Sequence, residues 1–234
     1  MKSDKAKVLH TVLDKPMISY VTEAAVTVAG KEVIVVVGHQ ADKVREIVLQ
    51  TEDVKFSHQN KQLGTGHAVM CAMPNLSENV KNVIILCGDV PLLSWKTIRD
   101  LVDTHEKDGN DITVLTIKLD NPKGYGRIVT DESGNVLKIV EEADASDEEK
   151  RIDTVNSGVY CVDREYLITT LGLINSDNAQ GELYLTDIVG VIASDDRKAG
   201  TVLCPDAEEL IGVNSLEDLK NAEQIMQKKQ GKKS

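Results

Sequence analysis

Apolar, β-branched runs alternate along this chain with segments of helical periodicity. The run EVIVVVG (residues 32–38) has the continuous hydrophobicity of a strand buried on both faces. It is followed by ADKVREIVLQ (41–50), whose apolar residues recur at helical spacing. The same order returns in VKFSH before GHAVMCAM (54–73) and in NVIILCGD before SWKTIRDLVDTHEK (82–107), where Ser94 is a plausible N-cap. Repeated strand–helix units predict a largely parallel sheet with helices on both faces.

The second half of the chain has a different pattern. DITVLTIKL (111–119) predicts a further strand, and after Asp120 the short alternating segments GRIVTD, NVLKIVEE and TVNSGVYCVD predict antiparallel strands. Helical patterns return in REYLITTLGLI and LYLTDIVGVIASD, before a strand AGTVLC and a terminal helix over about 215–230. We therefore predict an α/β, Rossmann-like fold with a mainly parallel sheet flanked by helices and a smaller antiparallel lobe.

Composition excludes several classes of function. A net charge of −11 argues against nucleic acid as a partner, since phosphate binding there rests on basic patches. No apolar run approaches the roughly 20 residues that span a bilayer, and the first residues do not read as a secretory signal. The four cysteines form no C-x-x-C pair, which argues against a zinc site and suits free thiols in a reducing cytoplasm.

Asp89 lies where ligands of such sheets bind. It follows the most apolar predicted strand in CGDVPLL, where Gly88 permits a tight turn and Pro91 blocks helix continuation. Ligands of open α/β sheets bind beyond the carboxyl ends of the strands. A carboxylate there can bind Mg²⁺ and so hold phosphates, whereas the alternative is an aspartate that only forms the turn.

The stretch QLGTGHA (62–68) also follows a predicted strand and continues into a helix. It matches neither G-x-G-x-x-G nor the P-loop spacing, so neither nucleotide fingerprint applies. Glycines on both sides of Thr65 allow close approach of another molecule, and the backbone amides could read a base or cradle a phosphate. A plain turn remains the alternative, and His67 is expected to pack or cap rather than catalyse.

Two charged stretches are ambiguous on their own. KAKVLH (5–10) places Lys5 and Lys7 before an apolar pair, and two lysines are usually surface charge. The acidic EEADASDEEK (141–150) is expected to be a solvated surface segment rather than a metal site.

Eight motifs taken together resemble one family. They are, in order, KVLH, QLGTGHA, GDVPLL, NPKGYGRIV, KIVEEADA, VNSGVY, NAQGELYLTDIV and GVNSLEDL. In this combination the chain resembles the uridylyltransferase domain of bacterial N-acetylglucosamine-1-phosphate uridylyltransferase, from Met1 to about Gln227. The resemblance implies one nucleotidyltransferase domain over 1–227, with a nucleotide-binding part (1–120), a sugar-binding lobe with closing helices (121–227) and a basic tail (228–234).

The resemblance also implies an activity and a metal. The family joins UTP to N-acetylglucosamine 1-phosphate, giving UDP-N-acetylglucosamine and pyrophosphate with Mg²⁺, for cell-wall precursor synthesis. Carried over by motif, Lys7 and Asp89 would be the catalytic residues, with Lys7 on the nucleotide phosphates. Asp89 and Asn214 would hold the Mg²⁺. The uracil would be bound by Gln59, Gly64 and Thr65.

The sugar pocket follows from the same resemblance. It would be formed by Gly126, Glu141, Asn156, Tyr184 and Thr186, with the amide of Asn156 suited to the acetamido group. Cys87 and Gly88 would also contact substrate. Cys87 stands where many members of the family have tyrosine, which is a departure from the pattern.

Two larger departures set further expectations. Nothing in the sequence resembles the hexapeptide-repeat acetyltransferase domain, so we expect neither that activity nor its trimer, but a cytoplasmic monomer. The first strand and the glycine-rich LAAG-x-GTRM loop are not recognisable, which predicts weak or no turnover. Because that strand lies inside the sheet in the family, we expect a gap between runs 32–38 and 82–89, or a rearrangement that closes it. The alternatives are another sugar-phosphate nucleotidyltransferase, or a catalytically dead chain that binds a uridine nucleotide or sugar nucleotide.

Overall fold

The computed structural model describes residues 4–191 and 197–231, and these form ten strands and seven α-helices. The strands are β1 Thr11–Val12, β2 Lys15–Pro16, β3 Ile34–Val37, β4 Lys55–His58, β5 Asn82–Ile85, β6 Ile112–Lys118, β7 Arg127–Thr130, β8 Val136–Val140, β9 Thr154–Asp163 and β10 Ala199–Leu203. The α-helices are α1 Met17–Ala29, α2 Ala41–Leu49, α3 Thr65–Ala72, α4 Trp95–Asp108, α5 Arg164–Leu171, α6 Asp187–Gly190 and α7 Leu216–Gly231.

The main sheet has six strands and a mixed topology. Its order is β10-β6-β9-β7-β8, and β5 also pairs with β9. Strand β10 runs parallel to β6, whereas β9 is antiparallel to β5, β6 and β7. The predicted α/β fold with flanking helices is thus present, and the antiparallel β7 and β8 extend from the amino-terminal half of β9.

A second, smaller sheet consists of β3 and β4, which are parallel with Val37 opposite His58. Within the described residues β3 pairs with β4 alone and β5 pairs with β9 alone. The expected gap between these two apolar runs is therefore present. All four residues of β5 are only half-buried, although a strand flanked on both sides would be expected to be more buried.

Helix α4 illustrates how local sequence sets an element. The hydroxyl of Ser94 accepts a hydrogen bond from the N–H of Thr97 at 3.2 Å, which confirms the predicted N-cap. Gly109 ends the helix with φ of 63°, a left-handed conformation that glycine adopts readily. Between these caps, Ile98 and Leu101 bury the apolar face against the main sheet cluster.

The remaining helices differ from the sequence expectations in extent. Helix α1 was not predicted. Of the helical pattern predicted over 183–195, the structure shows α6, and residues 192–195 lie outside the described residues. Helix α7 continues through Gly231, so residues 228–231 of the expected tail are helical, while 232–234 lie outside the described part. None of the helices described is both long and apolar enough to cross a bilayer.

Candidate active site

Three residues that are distant in sequence converge at the end of β5. Lys7 begins a short 3₁₀ turn, Asp89 lies in the turn after β5, and Asn214 lies just before α7. The Lys7 ammonium forms an ion pair with the Asp89 carboxylate and donates to Oδ1 of Asn214 at 2.9 Å. The backbone reinforces this contact, because the N–H of Val213 donates to the Asp89 carbonyl at 2.9 Å. One cation thus touches both side chains that the resemblance assigns to a metal.

A capping arrangement fixes Asn214. The carboxylate of Asp218 accepts from the N–H of Asn214 at 2.9 Å and of Ser215 at 2.8 Å. The N–H of Asp218 donates back to the Ser215 hydroxyl at 3.1 Å. This reciprocal pair is a capping box, and its S-x-x-[DE] pattern is readable in the sequence. Sequence reasoning did not single out Asp218, although that signal was available.

A cavity of about 380 Å³ opens beside this cluster. Asp89, Asn214 and Asp218 line one part of it, and Lys123 and Tyr125 line another. Lys123 and Tyr125 belong to NPKGYGRIV, and sequence reasoning did not name them. The cavity therefore joins the end of β5 to the loop that precedes β7.

The sugar-pocket residues also lie together. A Cβ placed on Gly126 would lie 3.4 Å from Oε2 of Glu141 and 3.6 Å from Cβ of Asn156. The N–H of Asn156 donates to the Gly126 carbonyl at 2.9 Å, and the hydroxyl of Thr186 donates to Oε1 of Glu141 at 3.1 Å. Gly126 thus lies against the side chains of Glu141 and Asn156, and a Cβ there would also lie 3.1 Å from Cγ2 of Ile139.

Burial raises the pKa values of two side chains in this cluster, Glu141 and Tyr184. It raises the pKa of Glu141, an effect that the Thr186 hydrogen bond opposes and that Asp144 and Asp187 reinforce. Burial, together with nearby Asp144, raises the pKa of Tyr184 to about 12. The Tyr184 hydroxyl is therefore protonated at neutral pH and can donate a hydrogen bond.

Cys87 lies between Asn156, which is predicted to bind the sugar, and Asp89. Oδ1 of Asn156 accepts from the N–H of Gly158 at 2.9 Å, and the Cys87 thiol donates to the Gly158 carbonyl at 3.4 Å. Gly158 has φ of 79°, and a Cβ there would lie 2.7 Å from Sγ of Cys87. Burial, with nearby Asp89, raises the pKa of Cys87 to about 12, so this thiol is neutral rather than nucleophilic.

The QLGTGHA turn docks onto the segment that precedes α6. Gly64 has φ of 112°, and a Cβ there would lie 2.5 Å from the carbonyl oxygen of Leu183. The Thr65 hydroxyl accepts from the N–H of Leu185 at 3.0 Å, and the Gln59 amide donates to the Gly64 carbonyl at 3.1 Å. The glycine is therefore required first by close backbone packing, and this packing holds the amide of Gln59 against the turn.

The neighbouring residues of the turn pack in the same way. The N–H of Gly66 donates to the Leu183 carbonyl at 2.8 Å, and Nδ1 of His67 lies 3.1 Å from Nε2 of Gln59. His67 thus has the packing role expected of it. At Gly88, a Cβ would lie 3.2 Å from Cδ1 of Ile18, so this glycine admits α1.

The other candidates lie apart from this site. Lys5 lines a separate cavity of about 590 Å³ next to α2. Within residues 4–191 and 197–231, no group of three or more histidine, cysteine or acidic side chains could hold a metal ion. The acidic stretch 141–150 therefore contributes Glu141 to the pocket without forming such a cluster.

The comparisons with known proteins identify the family of this chain. The family described as nucleotidyl transferase matches residues 2–220. The chain belongs to the nucleotidyl transferase family. The solved structure of HddC from Yersinia pseudotuberculosis, described as complexed with GMP-PN, has a TM-score of 0.67, 17% identity, and coverage of 97% of this chain and 92% of that one. That similarity confirms the predicted nucleotidyl transferase fold.

Curated relatives are closer in sequence. The bifunctional protein GlmU of Caldanaerobacter subterraneus subsp. tengcongensis is 51% identical over 98% of this chain and 49% of its own length. GlmU of Thermoanaerobacter pseudethanolicus is 49% identical over the same shares. This nucleotidyl transferase thus spans about half the length of the relatives it matches, and the family resemblance read from its motifs is confirmed.

Proposed function

We propose that this nucleotidyl transferase joins UTP to N-acetylglucosamine 1-phosphate, giving UDP-N-acetylglucosamine and pyrophosphate. The observation that carries the proposal is the convergence of Lys7, Asp89 and Asn214 next to the cluster of Gly126, Glu141 and Asn156. The first group offers charges for phosphates, and the second offers hydrogen bonds for a sugar. Similarity to proteins named GlmU supports this choice of substrates.

The residues present fit a magnesium ion. Asp89 and Asn214 both offer hard oxygen atoms, and one ammonium group contacts both, so the two oxygens face the same point. Mg²⁺ in phosphate-transferring sites is typically held by one or two protein oxygens, with phosphates and water completing the shell. When bound by Asp89 and Asn214, the ion would supply positive charge that neutralises the phosphates as pyrophosphate leaves.

The side chains supply positioning rather than covalent catalysis. A phosphate oxygen of the sugar phosphate attacks the α-phosphorus of UTP, a new P–O bond forms, and the bond between the α-phosphorus and the bridging oxygen breaks with pyrophosphate as leaving group. Lys7 would hold the phosphates through its fixed positive charge. No protein nucleophile is needed, which agrees with the neutral Cys87 thiol. Glu141 and Asn156 would orient the sugar so that its phosphate lies in line.

A binding protein without turnover is the second candidate. The separation of β3–β4 from the main sheet favours it, since the uracil turn follows β4 whereas Asp89 follows β5. Poor alignment between these two parts would lower turnover while leaving each part able to bind. We infer slow turnover for the chain as it stands.

The test combines turnover with binding. Pyrophosphate release is measured with UTP, N-acetylglucosamine 1-phosphate and Mg²⁺, and UDP-N-acetylglucosamine is titrated calorimetrically against the same chain. Release that requires both substrates supports the proposal, and binding without release supports the second candidate. Failure of both would overturn the assignment of UTP and this sugar.

Asp89→Asn sharpens that experiment. It removes one metal-binding charge at nearly constant volume, so turnover should fall by about 10²–10³-fold, the effect of losing one transition-state charge contact. The thermal midpoint should change little by comparison. Asp103→Asn, an exposed position on the solvent side of α4, is the matched control. Mg²⁺-dependent activity near the unaltered level in Asp89→Asn would remove Asp89 from the site.

A further inference from the structure

Arg127 is a buried cation that the proposed chemistry does not use. It is the first residue of β7, directly after Gly126, and its side chain is 2% exposed. Nη2 lies 2.7 Å from Oε2 of Glu142 and donates to the Lys150 carbonyl at 3.4 Å. Nη1 donates to the carbonyl of Tyr125. One guanidinium therefore holds three oxygen atoms from two separate segments of the chain.

These two segments form the walls of the proposed sugar side of the site. The first runs over 121–126 and ends at Gly126, and its residues Lys123, Gly124 and Tyr125 line the 380 Å³ cavity. The second runs over 141–151 and begins with Glu141. Glu142 also accepts a hydrogen bond from the backbone N–H of Gly124, so its carboxylate joins the second segment to the first. The Arg127 hydrogen bond, with this one, lowers the pKa of Glu142 and keeps it ionised.

The Arg127–Glu142 pair is placed to fix the distance between Gly126 and Glu141. Arg127 adjoins Gly126 in sequence and Glu142 adjoins Glu141, and these neighbours lie close together, since a Cβ on Gly126 would lie 3.4 Å from Oε2 of Glu141. This ion pair is weak evidence for stability, because the Glu142 side chain is 32% exposed and solvent screens its attraction to Arg127. Its directed hydrogen bonds nevertheless fix geometry, since the planar guanidinium offers donors in a rigid fork.

We propose that Arg127 and Glu142 act as a positioning pair that sets the width of the sugar pocket. This proposal rests on the proposed function, because it assumes that a sugar occupies the space at Gly126. Loss of the pair should weaken the binding of ligands that contain the sugar. The uracil turn should be unaffected, because it is held by contacts to Leu183 and Leu185 instead.

The test compares two ligands on the whole chain. UDP-N-acetylglucosamine and UMP are titrated calorimetrically, and the ratio of their dissociation constants is the readout. In Glu142→Ala the ratio should rise by about tenfold, a modest part of what displacement of positioning groups can cost. Glu142→Gln keeps an acceptor oxygen and should recover part of this loss. The matched control is Glu132→Ala, an exposed carboxylate in the β7–β8 turn, which should leave the ratio unchanged.

A second variant tests whether the two residues act together. Arg127→Met should raise the ratio in the same direction, and Arg127→Met combined with Glu142→Ala should be no worse than the worse single variant. If Arg127→Met does not fold, the result for Glu142→Ala decides alone. The Glu142 side chain is partly exposed, so we expect its replacement to leave the fold intact.

The outcomes separate this inference from the proposed function. An unchanged ratio in Glu142→Ala, or equal weakening of both ligands, would leave Arg127 and Glu142 with a purely structural role and overturn the inference. Absence of UDP-N-acetylglucosamine binding by the unaltered chain would overturn this inference, and absence of pyrophosphate release as well would overturn the proposed function.

Discussion

Strand β9 and strand β3 show how differently the two sheets are held. Strand β9 has neighbours on both sides, and Val155, Val159, Cys161 and Val162 in it are 0% exposed. Strand β3 has β4 as its partner within the described residues, and two of its four residues are half-buried. The residues proposed to bind the sugar are thus attached to the continuous main sheet. The turn proposed to bind uracil follows a strand of the two-stranded sheet.

The two-stranded sheet does not by itself fix the position of the turn around Gly64, which is proposed to bind the uracil. The turn around Gly64 is tied to the rest of the molecule by backbone contacts with Leu183 and by the Thr65 hydroxyl on Leu185. A two-stranded sheet alone is marginal in water. The position of this turn relative to the residues proposed for the sugar therefore depends on this docking and on the packing of α1 and α3, rather than on shared strand hydrogen bonds.

The largest expected effect comes from giving β3 and β5 a common neighbour. An amino-terminal extension with a strand followed by a LAAG-x-GTRM loop should insert between them, as the family resemblance implies. Each buried backbone group without a partner costs about 1–3 kcal/mol, against a total stability of about 5–15 kcal/mol. The thermal midpoint should rise by at least about 10 °C, at about 2–4 °C per kcal/mol, and turnover should rise with it.

The control extension has the same composition in scrambled order with two prolines, which cannot form a central strand. Scanning calorimetry and pyrophosphate release are measured for both extensions and for the unextended chain. Comparable midpoints and rates in all three would show that the separation of β3 from β5 does not limit stability or catalysis.

Gly64→Ala should cause the next largest effect, on the docking of the uracil turn. A Cβ at this position meets the Leu183 carbonyl, and φ of 112° is strained for any other residue. We expect a loss of about 3 kcal/mol of unfolding free energy, measured by urea denaturation. Gly109→Ala is the control, because Gly109 also has positive φ but nothing within 4 Å. Gly109→Ala should lose only about 1–2 kcal/mol of unfolding free energy. Equal losses in the two variants would mean that the Leu183 backbone moves away from the new Cβ at no cost.

Base selectivity tests the turn around Gly64 without disrupting its packing. The Gln59 amide and the LGTG backbone should favour uracil, since a side-chain amide can pair with its carbonyl and imide edge. A polar group left unpaired by the wrong base costs about 1–3 kcal/mol, so UTP should be preferred over CTP by about 5- to 150-fold in kcat/KM. Gln59→Leu should remove most of that preference. Equal use of both nucleotides by the unaltered chain would contradict the assignment of Gln59.

Sequence reasoning reached the elements whose signals are local. The cap of Ser94 and the strand TVNSGVYCVD were readable because capping residues and alternation act over a few positions. The position of β9 between β5 and β6 was not, since it pairs Ile84 with Cys161, and such register is set by tertiary packing. Helix α1 was missed because its β-branched residues disfavour a helix until packing decides.

The site was predictable only in part for the same reason. The motif match named Asp89 and Asn214, and their contact with one lysine agrees with it. Arg127 had no sequence signal, because an arginine that begins a strand is ordinarily solvated. Its burial follows from the two loops that close over it.

The smallest expected effect is the pH dependence of stability that arises from Glu141 and Glu149. Burial raises the folded-state pKa of Glu141 above 4.5, so the folded state binds this proton more tightly than the unfolded state. The resulting stability is present below about pH 4.5 and is lost as pH rises through the folded-state pKa. Glu149 is the opposite case: hydrogen bonds from Ser146 and Lys138 lower its pKa to about 2. Its stabilisation is present above 4.5 and is lost as pH falls towards 2.

The two glutamine variants should therefore shift the thermal midpoint in opposite directions. At pH 7 Glu141→Gln should raise it, because a carboxyl group whose charged form burial disfavours is replaced by a neutral amide, and the gain should vanish at pH 4. Glu149→Gln should lower it at pH 7, and the deficit should shrink as pH falls from 4.5 to 2. Calorimetry over this pH range gives both signs in one series. An unchanged or lower midpoint for Glu141→Gln at pH 7 would mean that the folded state tolerates the Glu141 charge without cost, and the predicted opposition between the two glutamates would fail.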